Sequence, residues 1–98
     1  AQEKAQKTQE KAAKEKQKNA ERLAKAQKNV MSIQTQISKQ ETEIANETNK
    51  FNMNKVKGKL SPNDEVKYKQ RILKKEEALN KLNAKLNKAK SDITKYSN

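Results

Sequence analysis

The chain contains no cysteine and no histidine. That removes the usual thiolate nucleophile, the usual base near neutral pH and most transition-metal sites, and it leaves no disulfide to brace the fold. There is one glycine in the whole sequence, so a phosphate-cradling loop, which needs several, is excluded. No apolar run approaches the roughly 18 residues that a membrane span requires. Hydrophobic residues are 31% of the chain and charged residues 37%, too little apolar material for a thick globular core.

Adjacent acids do not restore a catalytic reading. Glu76–Glu77 and Asp64–Glu65 point to different parts of a helix surface, while Glu43 and Glu47, at i and i+4, only repel mildly on a solvated face. The sequence is therefore read as non-enzymatic, with no catalytic residue, no cofactor site, no metal site and no small-molecule substrate. Asn46-Glu47-Thr48 matches the glycosylation triplet, but the simpler reading is an exposed asparagine in mid-helix.

What is present is helix-forming. Ala, Lys, Gln, Glu and Leu abound, and the single Gly58 and the single Pro62 lie four residues apart. Gly58 reads as a helix stop, because glycine takes the left-handed conformation without steric cost. Pro62 reads as a helix start, with Ser61 as its N-cap and Asp64 placed to complete a capping box. One helix ends here and another begins after a short turn over residues 58–61.

On either side the apolar residues keep a period of seven. Before the turn, Leu23, Val30, Ile37, Ile44 and Phe51 occupy a positions, and Ala26, Ile33, Gln40, Glu47 and Asn54 occupy d. After it, Ile72, Leu79, Leu86 and Ile93 take a, and Tyr68, Lys75, Leu82, Ala89 and Tyr96 take d. Sustained heptads are the coiled-coil signature. Folded back at the turn, residues whose numbers sum to 119 meet: Phe51 with Tyr68, Ile37 with Leu82, Leu23 with Tyr96. The same sum sets Ile33 against Leu86 and Gln40 against Leu79, so both rows align at once. The predicted fold is all-α, an antiparallel two-helix coiled-coil hairpin of residues 23–57 and 62–97 with a long N-terminal helical overhang.

That overhang, residues 1–22, is Ala, Lys, Gln and Glu with no bulky apolar face. Few aromatics and a high net charge also mark disorder, which stays open for this segment. Polar layers at Gln40, Glu47, Asn54 and Lys75 make the hairpin thin, and its net stability is expected near zero. Self-association or docking onto a protein partner is the natural remedy, through the off-seam residues Met31, Met53, Val66 and Leu73.

The charge is +12, from 24 basic and 12 acidic residues, so partners should be acidic. Lys4, Lys7, Lys11, Lys14, Lys16 and Lys18 crowd the overhang, and Arg22 and Arg71 are the only arginines. Lysine is a point charge rather than a fork, so these residues are read either as diffuse attraction to phosphate or lipid anions or as a solvated face. Nucleic acid stands behind a protein partner, because Phe51, Tyr68 and Tyr96 all fall on the seam and are claimed for packing. Membrane insertion is excluded by the lack of Trp, Phe or Leu in residues 1–22. The Ala-Gln-Glu start looks like the mature end of an exported bacterial protein, so an exported, periplasmic or secreted location is expected, with the cytoplasm as the alternative.

The basic helical hairpin over residues 23–97 resembles the tentacles of periplasmic Skp-like chaperones. The resemblance implies a holdase that grips clients between oligomerised hairpins. The strand-built trimerisation body of those chaperones has no counterpart in this sequence, and no site residue is carried over.

Overall fold

A computed structural model describes residues 2–97, with side chains from Lys7 onward. The chain forms two helices, α1 over Gln2–Val56 and α2 over Pro62–Tyr96, packed side by side and antiparallel. The molecule is a rod of 85 × 16 × 13 Å. Its length is that of α1, since 55 helical residues rise about 83 Å.

The turn forms for local reasons. Gly58 adopts φ 65°, the left-handed conformation that the helix stop requires. Its N–H donates to the Lys55 carbonyl at 3.1 Å, and the Lys59 N–H donates to the Asn54 carbonyl at 3.0 Å, which together make a Schellman motif. Across the turn, Ser61 is extended, its hydroxyl accepts from the Asp64 N–H at 3.1 Å, and its own N–H donates to the Asp64 carboxylate at 3.1 Å. The capping box is complete, with Pro62 in the first helical turn. These bonds hold the Asp64 carboxyl below its ordinary value: the Ser61 N–H first, the Ser61 side chain next, and a smaller pull from Lys67. Two boundaries shift by one residue. Lys57 belongs to the turn rather than to α1, and Ser97 is the C-cap of α2, its N–H donating to the Ile93 carbonyl at 3.0 Å.

Register follows the predicted sum. The Phe51 and Tyr68 rings, at a sum of 119, lie 5.8 Å apart, and the two cross-helix ion pairs and the Arg22–Tyr96 contact described below fall at 118, one residue away. Every predicted seam residue is shielded. Ile37 is buried, and Leu23, Val30, Ile33, Ile44, Phe51, Tyr68, Ile72, Leu79, Leu82, Leu86, Ile93 and Tyr96 are half-buried. The smallest seam residues are the most enclosed, Ala26 and Ala89, because a short side chain disappears wherever two backbones approach. Leu60, in the turn, is also half-buried, a position the heptads alone do not reach.

The overhang is not a separate element. Residues 2–22 are the unbroken first part of α1, and from Lys7 to Arg22 all side chains are exposed except half-buried Asn19. Pairs such as Glu10–Lys14 at i, i+4 and the absence of Gly or Pro favour this helix without tertiary help. Lys4, expected among the partner-facing lysines, has a side chain outside the described residues.

Candidate interaction surfaces

Most seam residues with no apolar partner gain a polar one on the other helix. Gln40 donates from Nε2 to the Lys75 carbonyl at 3.0 Å. Asn54 donates from Nδ2 to the Tyr68 hydroxyl at 3.3 Å. Glu47 pairs with Arg71 at 3.3 Å, and Lys75 reaches Glu43 at 3.4 Å. The two acids that repel each other along α1 are thus each met by a cation from α2. Among the described residues no buried side-chain polar atom lacks a partner. These pairs are partly exposed and each adds little energy, but their spacing disfavours a slipped register.

Both arginines of the chain lie over tyrosine rings, which sequence reasoning missed. The Arg71 guanidinium sits 4.4 Å from the Tyr68 ring centre, and that of Arg22 sits 5.6 Å from the Tyr96 ring. Lys55 and Lys95 cover Phe51 and Tyr96 at 5.7 and 5.5 Å. All three aromatic rings are therefore both seam residues and cation platforms. The signal was available: Arg71 follows Tyr68 by three residues, and Arg22 and Tyr96 sum to 118.

The outer surface divides into two unlike faces. A shallow groove between the helices is lined by Asn29, Ile33, Lys85, Lys88, Ala89 and Asp92, and a neighbouring one by Arg22, Lys25, Ala26, Asn29, Asp92 and Tyr96. These linings put the Arg22–Lys25–Asn29 side of α1 and the Lys85–Lys88–Asp92 side of α2 on the same face. A period of seven carries that assignment along both helices. On this face α2 presents Lys67, Lys74, Lys81, Lys88 and Lys95, a lysine at every seventh position and all exposed. Arg71 and Lys85 flank that row, and α1 contributes Arg22, Lys25, Lys39 and Lys50. The acids here are Glu43, Glu47, Asp64 and Asp92, outnumbered by the cations, and Glu43 and Glu47 are already paired.

Helical geometry places the opposite face on α1 residues such as Gln27, Met31, Gln34, Ser38 and Ala45 and on α2 residues Val66, Leu73, Asn80, Asn83 and Asn87. Its cations are Lys55, Lys69 and Lys90, offset by Glu41 and Glu76. Here lie three of the large apolar residues left uncovered: Met31 at 69% exposure, Leu73 at 54% and Val66 at 53%. Met53 and Val56 are also exposed, but they form a separate apolar spot near the turn beside Asn52 and Lys57, with Met53 in the Lys25–Lys39 row at the edge of the basic face. The four apolar contact candidates are thus all solvent-exposed, with Met53 set apart from the other three. Lys7, Lys11, Lys14 and Lys18 are exposed along the overhang.

No helix among the described residues is long and apolar enough to cross a membrane. No cluster of three acids there is arranged to hold a metal ion. In comparison with known protein families, curated proteins and solved structures, the chain matches none.

Proposed function

We propose that this chain is a non-enzymatic helical-hairpin subunit that docks onto or assembles with a protein partner, its lysine-rich surface turned towards acidic groups. The observation that carries the reading is the uncovered apolar stripe on the weakly charged face. Val66 and Leu73 stand one heptad apart on α2, with Met31 further along the same face on α1. A hairpin whose buried residues, among those described, are Ala26, Ile37 and Ala89 has little core of its own, so covering this stripe is a direct source of further stability. A second copy can reach it without bringing the two strongly basic faces together.

Sedimentation at micromolar concentration tests the proposal, read together with helix content. The expected result is association that strengthens with concentration, with helicity rising as it does. Changing Val66 and Leu73 to Gln should abolish the association. A stable, fully helical monomer, or an assembly indifferent to those two substitutions, would overturn the reading.

A further inference from the structure

The strongly basic face, on the side away from Val66 and Leu73, calls for a ligand of its own. We infer that it is a track for a single-stranded nucleic acid, gripped through its phosphodiester backbone and without regard to base sequence.

The geometry is that of a continuous line. Along α2 the lysines from Lys67 to Lys95 repeat every seven residues, a step of about 10.5 Å, and cover about 42 Å. The register sets Lys95 level with residue 24 of α1, whose neighbour Lys25 lies on the basic face. There the line passes to Lys25, Lys18 and Lys11, again seven apart and all exposed, and runs out along the overhang. The whole track is about 63 Å long. The overhang, which has no partner helix, then has a role: it lengthens the charged line beyond the hairpin.

The nature of the cations selects the ligand. Lysine offers a point charge suited to phosphate, whereas the bidentate fork that reads base edges belongs to arginine. Both arginines are engaged, Arg71 with Glu47 and Tyr68 and Arg22 with Tyr96. The aromatic rings lie on the seam under cations, so base stacking contributes little. What is left is backbone electrostatics, which is sequence-independent and steeply salt-dependent.

A flexible single strand can follow a row that winds with the helices and crosses from one to the other. The strands of a duplex wind away from it, and grooves about 12 and 6 Å wide separate them. An anionic bilayer is the weaker fit, because interfacial helices need bulky apolar residues on the wetted face and this row interleaves none.

The test is fluorescence anisotropy with a labelled single-stranded oligodeoxythymidylate over a salt series, using the full chain. Two variants of equal charge are compared. One replaces Lys74, Lys81 and Lys88 with Gln; the other replaces Lys55, Lys69 and Lys90. Glutamine keeps the helix, which circular dichroism verifies. At about 0.7 ions released per single-strand contact, the first variant should lower the salt slope by about 2 and weaken binding about a hundredfold at ~0.1 M salt. The second should lose no more than a few-fold, through the overall field.

Equal losses in both variants would overturn the track, as would no binding to the oligonucleotide at low salt or tighter binding to a duplex of the same length. Capture by phosphatidylglycerol vesicles without oligonucleotide binding would overturn it in favour of a lipid surface. The Val66 and Leu73 variants lie on the other face, so loss of association leaves this result legible by itself.

Discussion

Replacing Ile37 with Ala tests the hairpin seam at its most buried large residue. Ile37 is 9% exposed, and the register places it level with Leu82 on α2. The substitution removes three carbons, worth about 0.8 kcal/mol each, or about 2.4 kcal/mol of lost burial. Alanine returns about 0.4 kcal/mol through its better helix propensity. A rod this thin collapses or admits water around the gap, so no large cavity penalty is added. The expected loss is about 2 kcal/mol, roughly a thirtyfold change in the ratio of folded to unfolded chain. In a hairpin with little stability to spare, that is enough to melt most of it.

Urea titration followed by circular dichroism at fixed protein concentration measures the loss. Lys28→Ala serves as the control on the exposed outer surface of α1 and should stay within about 0.5 kcal/mol of wild type. The decisive step is a double-mutant cycle with Leu82→Ala. Neighbours across the seam should show a coupling above about 0.5 kcal/mol, while separated residues add. An Ile37→Ala loss no larger than that of Lys28→Ala, or strict additivity with Leu82→Ala, would refute the register and the hairpin built on it.

Three further outcomes follow from the same structure. Gly58→Ala should cost about 1 kcal/mol through its left-handed backbone alone, since no atom lies within 4 Å of the added carbon; an unchanged denaturation midpoint would count against the turn. Because Ser61 and Lys67 hold the Asp64 carboxyl below its ordinary value, its contribution to stability is in place above about pH 4 and fades as pH falls through the lowered value. The gap in thermal midpoint between wild type and Asp64→Asn should therefore narrow on acidification, and a gap constant with pH would refute the capping role. Finally, the Glu47 side chain is 19% exposed on the seam while its partner Arg71 is 55% exposed, so the pair is weak and Glu47→Leu should raise stability by about 1 kcal/mol. A loss of that size in the urea midpoint would mean that the Glu47–Arg71–Tyr68–Asn54 network holds the turn end together.

Most of this architecture could be read along the chain, because its signals are local or strictly periodic. Gly58, Ser61, Pro62 and Asp64 act on their own backbone within a few residues, so a turn was legible without any knowledge of what packs where. Leu23 to Phe51 and Ile72 to Ile93 repeat every seven residues, and a rhythm shared by two equal runs on either side of one turn leaves a single way to zip them. The overhang was legible as an unpartnered length, though its continuity with α1 needed the structure.

The division of the surface into a basic and a weakly charged face was not legible, although every lysine in the row was in plain view. One helix viewed alone shows several stripes, and nothing in its own sequence says which stripe of the other helix will lie beside which. That depends on the antiparallel direction, the register and the handedness of the helices together, as does the finding of partners for Gln40, Glu47 and Asn54. Linear order determines periodic and neighbouring relations. Only packing brings together residues such as Arg22 and Tyr96, because a distance across space depends on the whole chain between them.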